Sequence, residues 1–356
     1  MSGKFFAKLF ILFVTYLFVC AIIYFVSYFS LVKKIFIDMP AFRAVQKSLY
    51  YGPYLEVWQN KHDCVTYDEE LIYVPKIGAC RHKNAEFDTT LNFTKNGRLM
   101  PKIKNKNTKP IIVLGDSHAM GWGVNDNKTF SYVLQNLSKT PVYNLAVSSY
   151  GTVREVIRLE KSGLLEKSDI ILYSDPDADR LGLIVKVSKE ERKYFGKWKF
   201  IKANDIWTLI LWYILKNIFN FNSSLIYREK LFIVKSYITS DSLNAVAQKF
   251  GIQCLNGNVG FSDLSNIVRE KWKEGKINVG MFEESNGIGI AGNPKIDSNI
   301  PSHILEKDAA LAATLIAEIS AYAKSEKTTI LKLLDHLYVD PEIGYYATFR
   351  LDLPEN

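Results

Sequence analysis

A serine in a strand-to-helix turn is the first residue whose setting suggests chemistry. The run IIVLGDSHAMGWGV puts Ser117 directly after an apolar segment, between Asp116 and His118, with further glycines following. In such a turn the hydroxyl stands at the rim of a sheet. A Ser hydroxyl is a weak nucleophile until a base takes its proton. A histidine, and usually a carboxylate to orient it, must then come from elsewhere in the chain. There are five histidines to choose from. His62 and His82 fall in a polar stretch and read as surface residues, His118 is aimed away from its neighbour, and His303 and His336 lie near the C-terminus. A second chemical run, SDPDAD, alternates Asp175, Asp177 and Asp179. A calcium loop needs Gly at its sixth place and Glu at its twelfth. Those places hold Arg180 and Lys186, so no metal site and no cofactor is expected. No Cys/His spacing suggests zinc, and neither a Walker loop nor a dinucleotide fingerprint is present.

The elements that must position these residues begin at Pro110. PIIVLGDS reads as a short buried strand ending in a turn, TPVYNLAVSS as a second and SDIILYSDPDAD as a third. KTFSYVLQNL and TVREVIRLEKSGLLEK, between them, have helical periodicity. Strand–helix–strand–helix–strand order predicts a parallel sheet with right-handed crossovers. Its ligands would sit at the carboxyl ends of the strands, so the turns at 115–118, 148–151 and 174–179 should share one rim. Residues 186–285 read as an insertion whose segment DIWTLILWYILKNIF is a core or cap helix or, alternatively, a helix lying on the membrane or over a substrate cleft. The final stretch from Thr328 reads as an added strand or lid.

GDSHAMGWGV, VYNLAVSSYGTVRE, DIILYSDPDAD and a late His before an Ala-rich helix together resemble the SGNH/GDSL hydrolase family. The resemblance covers roughly residues 110–180 and 290–325. It implies an α/β fold, a three-layer α/β/α flavodoxin-like domain on a parallel sheet. It also implies that Ser117 is the nucleophile and His303 the base. Asp297, six residues before His303 where the family usually has three, would be the orienting acid, with a Ser–His dyad as the alternative. Backbone N–H groups of Ser117 and Ser149 would hold an oxyanion, with Asp116 and Gly151 beside them. Ser149 stands where the family has glycine, and SDPDAD offers no Asn to the oxyanion; one lost donor costs about a hundredfold in rate.

Composition bounds the rest. The chain has 356 residues, 48% of them apolar and 23% charged, with a formal charge of +8. These values fit a globular protein. Lys4, Lys8, Lys33 and Lys34 flank Leu9–Val32, which lacks any charged side chain. The positive excess therefore points to membrane association, not to nucleic acid. A helix needs about 20 apolar residues to cross a bilayer, so Leu9–Val32 is expected to be a single transmembrane helix with an extracytoplasmic catalytic domain. Cys64 and Cys80 would suit a small disulfide loop. The expected organisation is an anchor over 1–34, a linker with short strands over 35–109, the hydrolase-like domain over 110–325, and an extension over 326–356. The expected activity is ester hydrolysis or acyl transfer on O-acetyl groups of cell-envelope carbohydrate, by resemblance. The alternatives are a lipase or lysophospholipase, or a degenerate glycan-binding scaffold. The expected partners are an acylated carbohydrate or lipid and the membrane; the oligomeric state is left open.

Overall fold

The architecture is taken from a computed structural model, which describes residues 3–27, 58, 61–83, 87–103, 108–221, 225–296 and 304–347. The chain divides into two units, Met1–Lys61 and His62–Asn356. The first contains α1 (Gly3–Ser27). The rest of the apolar run, 28–32, lies outside the described residues. Among the described residues no helix is long and apolar enough to cross a membrane. That finding overturns the expected transmembrane span over Leu9–Val32 and the single-pass, extracytoplasmic placement built on it.

The second unit opens with small antiparallel sheets. The hairpin β1 (Val65–Asp68) with β2 (Ile72–Pro75) is followed by β3 (Gly78–Lys83), β4 (Asp88–Thr94) and β5 (Gly97–Arg98). Cys64 and Cys80 are joined by a disulfide, their Cα atoms 5.1 Å apart. His82 is not a surface residue. It is buried, its ring 4.3 Å from that of Trp122 and 5.0 Å from that of Phe87. Arg98 is fully buried and donates to Asp126 Oδ1 at 2.6 Å and to the carbonyl oxygens of Met120 and Val124, both at 2.8 Å. It thereby fastens the small sheet to the loop that follows Ser117.

The larger architecture then begins: β6 (Ile111–Leu114), α2 (Ser117–Met120), α3 (Phe130–Ser138), β7 (Val142–Asn144), α4 (Thr152–Ser162), β8 (Ile170–Ser174), β9 (Leu181–Lys186), α5 (Arg192–Phe195) and β10 (Trp198–Ile201). These five strands pair in the order β10-β9-β8-β6-β7. β7, β6 and β8 are mutually parallel, whereas β9 and β10 run antiparallel. The apolar runs of β6 and β8 pack against α4 through Ile112, Leu114, Leu159 and Ile171.

A second sheet is built from the remaining chain. α6 (Ala203–Phe221) leads to β11 (Leu231–Ser236), α7 (Ser242–Lys249), β12 (Gln253–Gly257), α8 (Phe261–Lys273), β13 (Ile277–Glu283) and β14 (Gly287–Gly289). Its order is β12-β11-β13-β14, with only β14 antiparallel. α9 (Ala309–Ser325) and α10 (Ile330–Val339) close the described chain. In α6, Ile206, Trp207, Leu209, Ile210, Leu211 and Leu215 are all fully buried. Each contributes roughly 1.5–3 kcal/mol by burial, so α6 is a core helix and not a cap.

These observations correct the expected single parallel sheet of a flavodoxin-like SGNH domain. The two sheets are both mixed. The physical reason is the Asp175–Arg180 segment: it turns the chain straight back, so β9 returns antiparallel beside β8 with no crossover helix. The C-terminal stretch is the helix α10, capped by the Thr329 side chain, where a strand or lid was expected.

Candidate metal centre at the sheet rim

The expected common rim exists. Leu114 of β6 pairs with Tyr173 of β8, and a Cβ on Gly115 would come within 3.0 Å of the Ser174 oxygens. Val147 N–H donates to the Gly115 carbonyl at 3.2 Å, which brings in the end of β7. The strand ends carrying Asp116–Ser117, Ser148–Gly151 and Asp175–Asp179 therefore lie side by side.

On the β6 side, Ser117 opens α2 and is half-buried, while His118 is exposed. Ser149 adopts φ 63°, the left-handed region that glycine favours. Its N–H, assigned above to an oxyanion, donates to Asp116 Oδ1. Its carbonyl accepts from Arg154 at 2.5 Å. Gly151 caps the start of α4 without a side-chain hydrogen bond. Burial raises the Asp116 carboxyl above its ordinary value, against the N–H groups of Ser149 and Ser117, which lower it. His303 and Asp297 lie outside the described residues, so neither is placed relative to Ser117.

On the β8 side the geometry is more pointed. One carboxylate oxygen from each of Asp175, Asp177 and Asp179 lies within 4.8 Å of the others. The loop that holds them is built locally. Arg180 N–H donates to Asp175 Oδ1 at 3.0 Å, Ala178 N–H to the Asp175 carbonyl at 3.1 Å, and Ala178 sits at φ 55°. Alternation in this tight turn puts three acids on one side. Asp175 is pushed up to about 6, first by burial and then by Asp179 and Asp177 beside it. At Asp179 burial opposes ionisation, but Lys307, a hydrogen bond with Asp175 and the Arg180 charge together outweigh it, and the carboxyl is held below its ordinary value.

The second sheet completes the rim. Lys307 Nζ lies 2.7 Å from Asp179 Oδ2 and 3.8 Å from Glu283 Oε2. Glu283 is buried at the end of β13, where it accepts from Gly260 N–H at 2.9 Å and Ser285 Oγ at 2.6 Å. Asn286 donates to the Leu181 carbonyl at 2.8 Å and accepts through its own carbonyl from Leu181 N–H at 3.1 Å. Ala309 N–H donates to the Ala178 carbonyl at 3.1 Å. These bonds seat the β13–β14 turn and the start of α9 against the acidic loop. Glu283 and Lys307 escaped the sequence reading because each is more than a hundred residues from the aspartates, with no local spacing to connect them.

The donor set fits a hard divalent cation. Three carboxylates that crowd one another are oxygen ligands of the kind Mg²⁺, Mn²⁺ and Ca²⁺ prefer. The calcium-loop comparison fails at Arg180 and Lys186, yet the carboxylates converge without that template.

The family match and the sequence relatives point away from the family expected. Residues 203–339 match the family described as "Phosphoglucomutase/phosphomannomutase, alpha/beta/alpha domain III". The phosphopentomutase of Mus musculus is 27% identical over 182 residues, 51% of this chain and 26% of that protein. The phosphomannomutase of Mycoplasma genitalium is 25% identical over 199 residues, 56% of this chain and 31% of that protein. Among solved structures, a phosphoglucomutase from Paramecium, pp63/parafusin, is 20% identical with a TM-score of 0.41, covering 66% of this chain and 37% of that one. The chain spans about a quarter of the length of the phosphopentomutases it matches. These matches overturn the resemblance to SGNH/GDSL hydrolases. Ester hydrolysis, acyl transfer, and acylated carbohydrate or lipid substrates fall with it. Over residues 203–339 the chain is similar instead to the α/β/α domain III of the phosphoglucomutase/phosphomannomutase family.

Proposed function

We propose that the rim binds a phosphorylated sugar together with a divalent cation and serves a phosphomutase-type isomerisation. The observation that carries this reading is the convergence of Asp175, Asp177 and Asp179 within 4.8 Å, with Lys307 beside them. The names of the similar proteins, phosphopentomutase and phosphomannomutase, supply the substrate class. A cation held by the three aspartates would neutralise charge on phosphate oxygens. Lys307 adds a positive group at the same place, and Glu283, fixed by two hydrogen bonds, offers a carboxylate to sugar hydroxyls.

Relocating a phosphoryl group within one sugar needs a group that can take it from one hydroxyl and return it to another. Ser117 is our candidate, because the turn that carries it adjoins the acidic loop through Gly115 and Ser174. Its oxygen would form a P–O bond as the P–O bond to the sugar breaks, and the serine proton would pass to the leaving sugar oxygen. The reverse exchange at a second sugar hydroxyl would restore Ser117.

The test is ³¹P NMR of glucose 1-phosphate incubated with the full chain and Mg²⁺. The reading predicts growth of a 6-phosphate resonance, abolished by Asp177→Asn and, with metal binding intact, by Ser117→Ala. Unchanged turnover in Asp177→Asn would overturn the metal assignment, and unchanged turnover in Ser117→Ala would remove Ser117 from the reaction.

A further inference from the structure

The opposite end of the first sheet holds a cavity of about 310 Å³ with no role in the reading above. It lies between the start of β8 at Ile170, the end of β9 at Val185–Lys186, the last turns of α9 at Ser320–Lys324 and the start of α10 at Ile330. β8 runs from Ile170 to Ser174. At about 3.3 Å per residue this puts the cavity roughly 13 Å along the strand from the metal rim.

Its lining is strongly one-sided in charge. Lys109, Lys186, Lys189, Arg192 and Lys324 line it against a single carboxylate, Asp169. That carboxylate is already paired with Lys109 at 2.8 Å. Lys186 Nζ donates to the Glu166 carbonyl at 3.0 Å, while the Glu166 carboxylate is taken by Lys197. Arg192 Nε donates to the Val187 carbonyl at 3.4 Å. The Glu190 and Glu166 carboxylates stand near Lys189 and Arg192, but among the described residues neither cation nor Lys324 is closed into an ion pair, so the cavity keeps an excess of positive charge. Two hydroxyls, Ser188 and Thr329, share the lining. Thr329 also caps α10, a helix of ten residues. The positive end of that helix adds to the same field.

Cations, hydroxyls and a helix N-terminus around a small cavity are what a phosphate dianion requires. We propose that this cavity is a second, non-catalytic site for a compact phosphate-bearing molecule, recognised by Arg192 and Lys324. The bound anion would tie α9 and α10 to the end of the sheet. This proposal does not rest on the mutase reading, because no residue of the cavity belongs to the rim.

The test is calorimetric titration of the full chain with inorganic phosphate and, separately, with glucose 6-phosphate, in EDTA so that no divalent cation supports the rim. Saturable binding is expected. Arg192→Gln and Lys324→Gln should each weaken it about tenfold, the scale of one charge-assisted hydrogen bond, and Asp177→Asn should leave it unchanged. Equal affinities would assign the site to the phosphate ion, and tighter binding of glucose 6-phosphate would assign it to a sugar ester; both support the proposal. Absence of saturable binding, or equal binding by the Arg192→Gln/Lys324→Gln double variant with an unchanged melting temperature, would overturn it.

Discussion

Glu155 shows how strongly one residue near the rim depends on its surroundings. It lies in the first turn of α4, is buried, and its Oε2 has no hydrogen-bond partner. Burial, and then the Asp116 carboxylate, push its carboxyl from an ordinary 4.5 to about 7. The folded chain therefore holds this proton between those values while the unfolded chain has released it. The contribution of Glu155 to stability is complete below about pH 4.5 and is lost as the pH rises through 7. We expect melting temperature to fall over that window, and Glu155→Gln to flatten the fall. A pH profile identical in the two proteins would show that another group is responsible. At this scale the sequence was informative in part. Asp175, Asp177 and Asp179 are visible as an alternating triplet, but comparison with a single calcium-loop template rejects them. Their convergence depends on the sharp reversal at Ala178, which no residue in the triplet announces.

Among elements, local pattern and tertiary placement separate cleanly. PIIVLGDS reads as strand and turn, and β6 and α2 follow that reading. TVREVIRLEKS reads as a helix, and α4 is one. The direction of β9 was not readable, because LGLIVK is equally apolar in a parallel or an antiparallel strand. Only the short link from Asp175 to Arg180 forces the hairpin. The second sheet was hidden for a similar reason: its strands look like parts of an insertion until β11 finds β13 and β12. The placement of β5 against β7 is more exacting. Gly97 has φ 94°, and a Cβ there would sit 1.9 Å from the Asn144 carbonyl oxygen. That atom belongs to backbone and cannot swing aside. Gly97→Ala should cost at least about 3 kcal/mol through combined strain and displacement, read as a drop in the urea midpoint. A midpoint within experimental error of the parent would contradict the close approach.

At the largest scale, the second unit, His62–Asn356, joins two mixed sheets across one rim. The ends of the first sheet's strands lead into Ser117 and the three aspartates, the second sheet brings Glu283, and the segment before α9 brings Lys307. The family match covers residues 203–339, and the aspartates lie just before that range. The rim therefore depends on both sheets being present and packed, which no short motif could reveal. The proposed reaction depends on the acidic triplet holding a cation. Electron paramagnetic resonance of Mn²⁺ titrated into the full chain measures this directly. One tightly bound Mn²⁺ per chain is predicted, weakened at least tenfold by Asp177→Asn and displaced by Mg²⁺. Free Mn²⁺ signal undiminished by the protein, or equal binding by Asp177→Asn and the parent chain, would contradict the account.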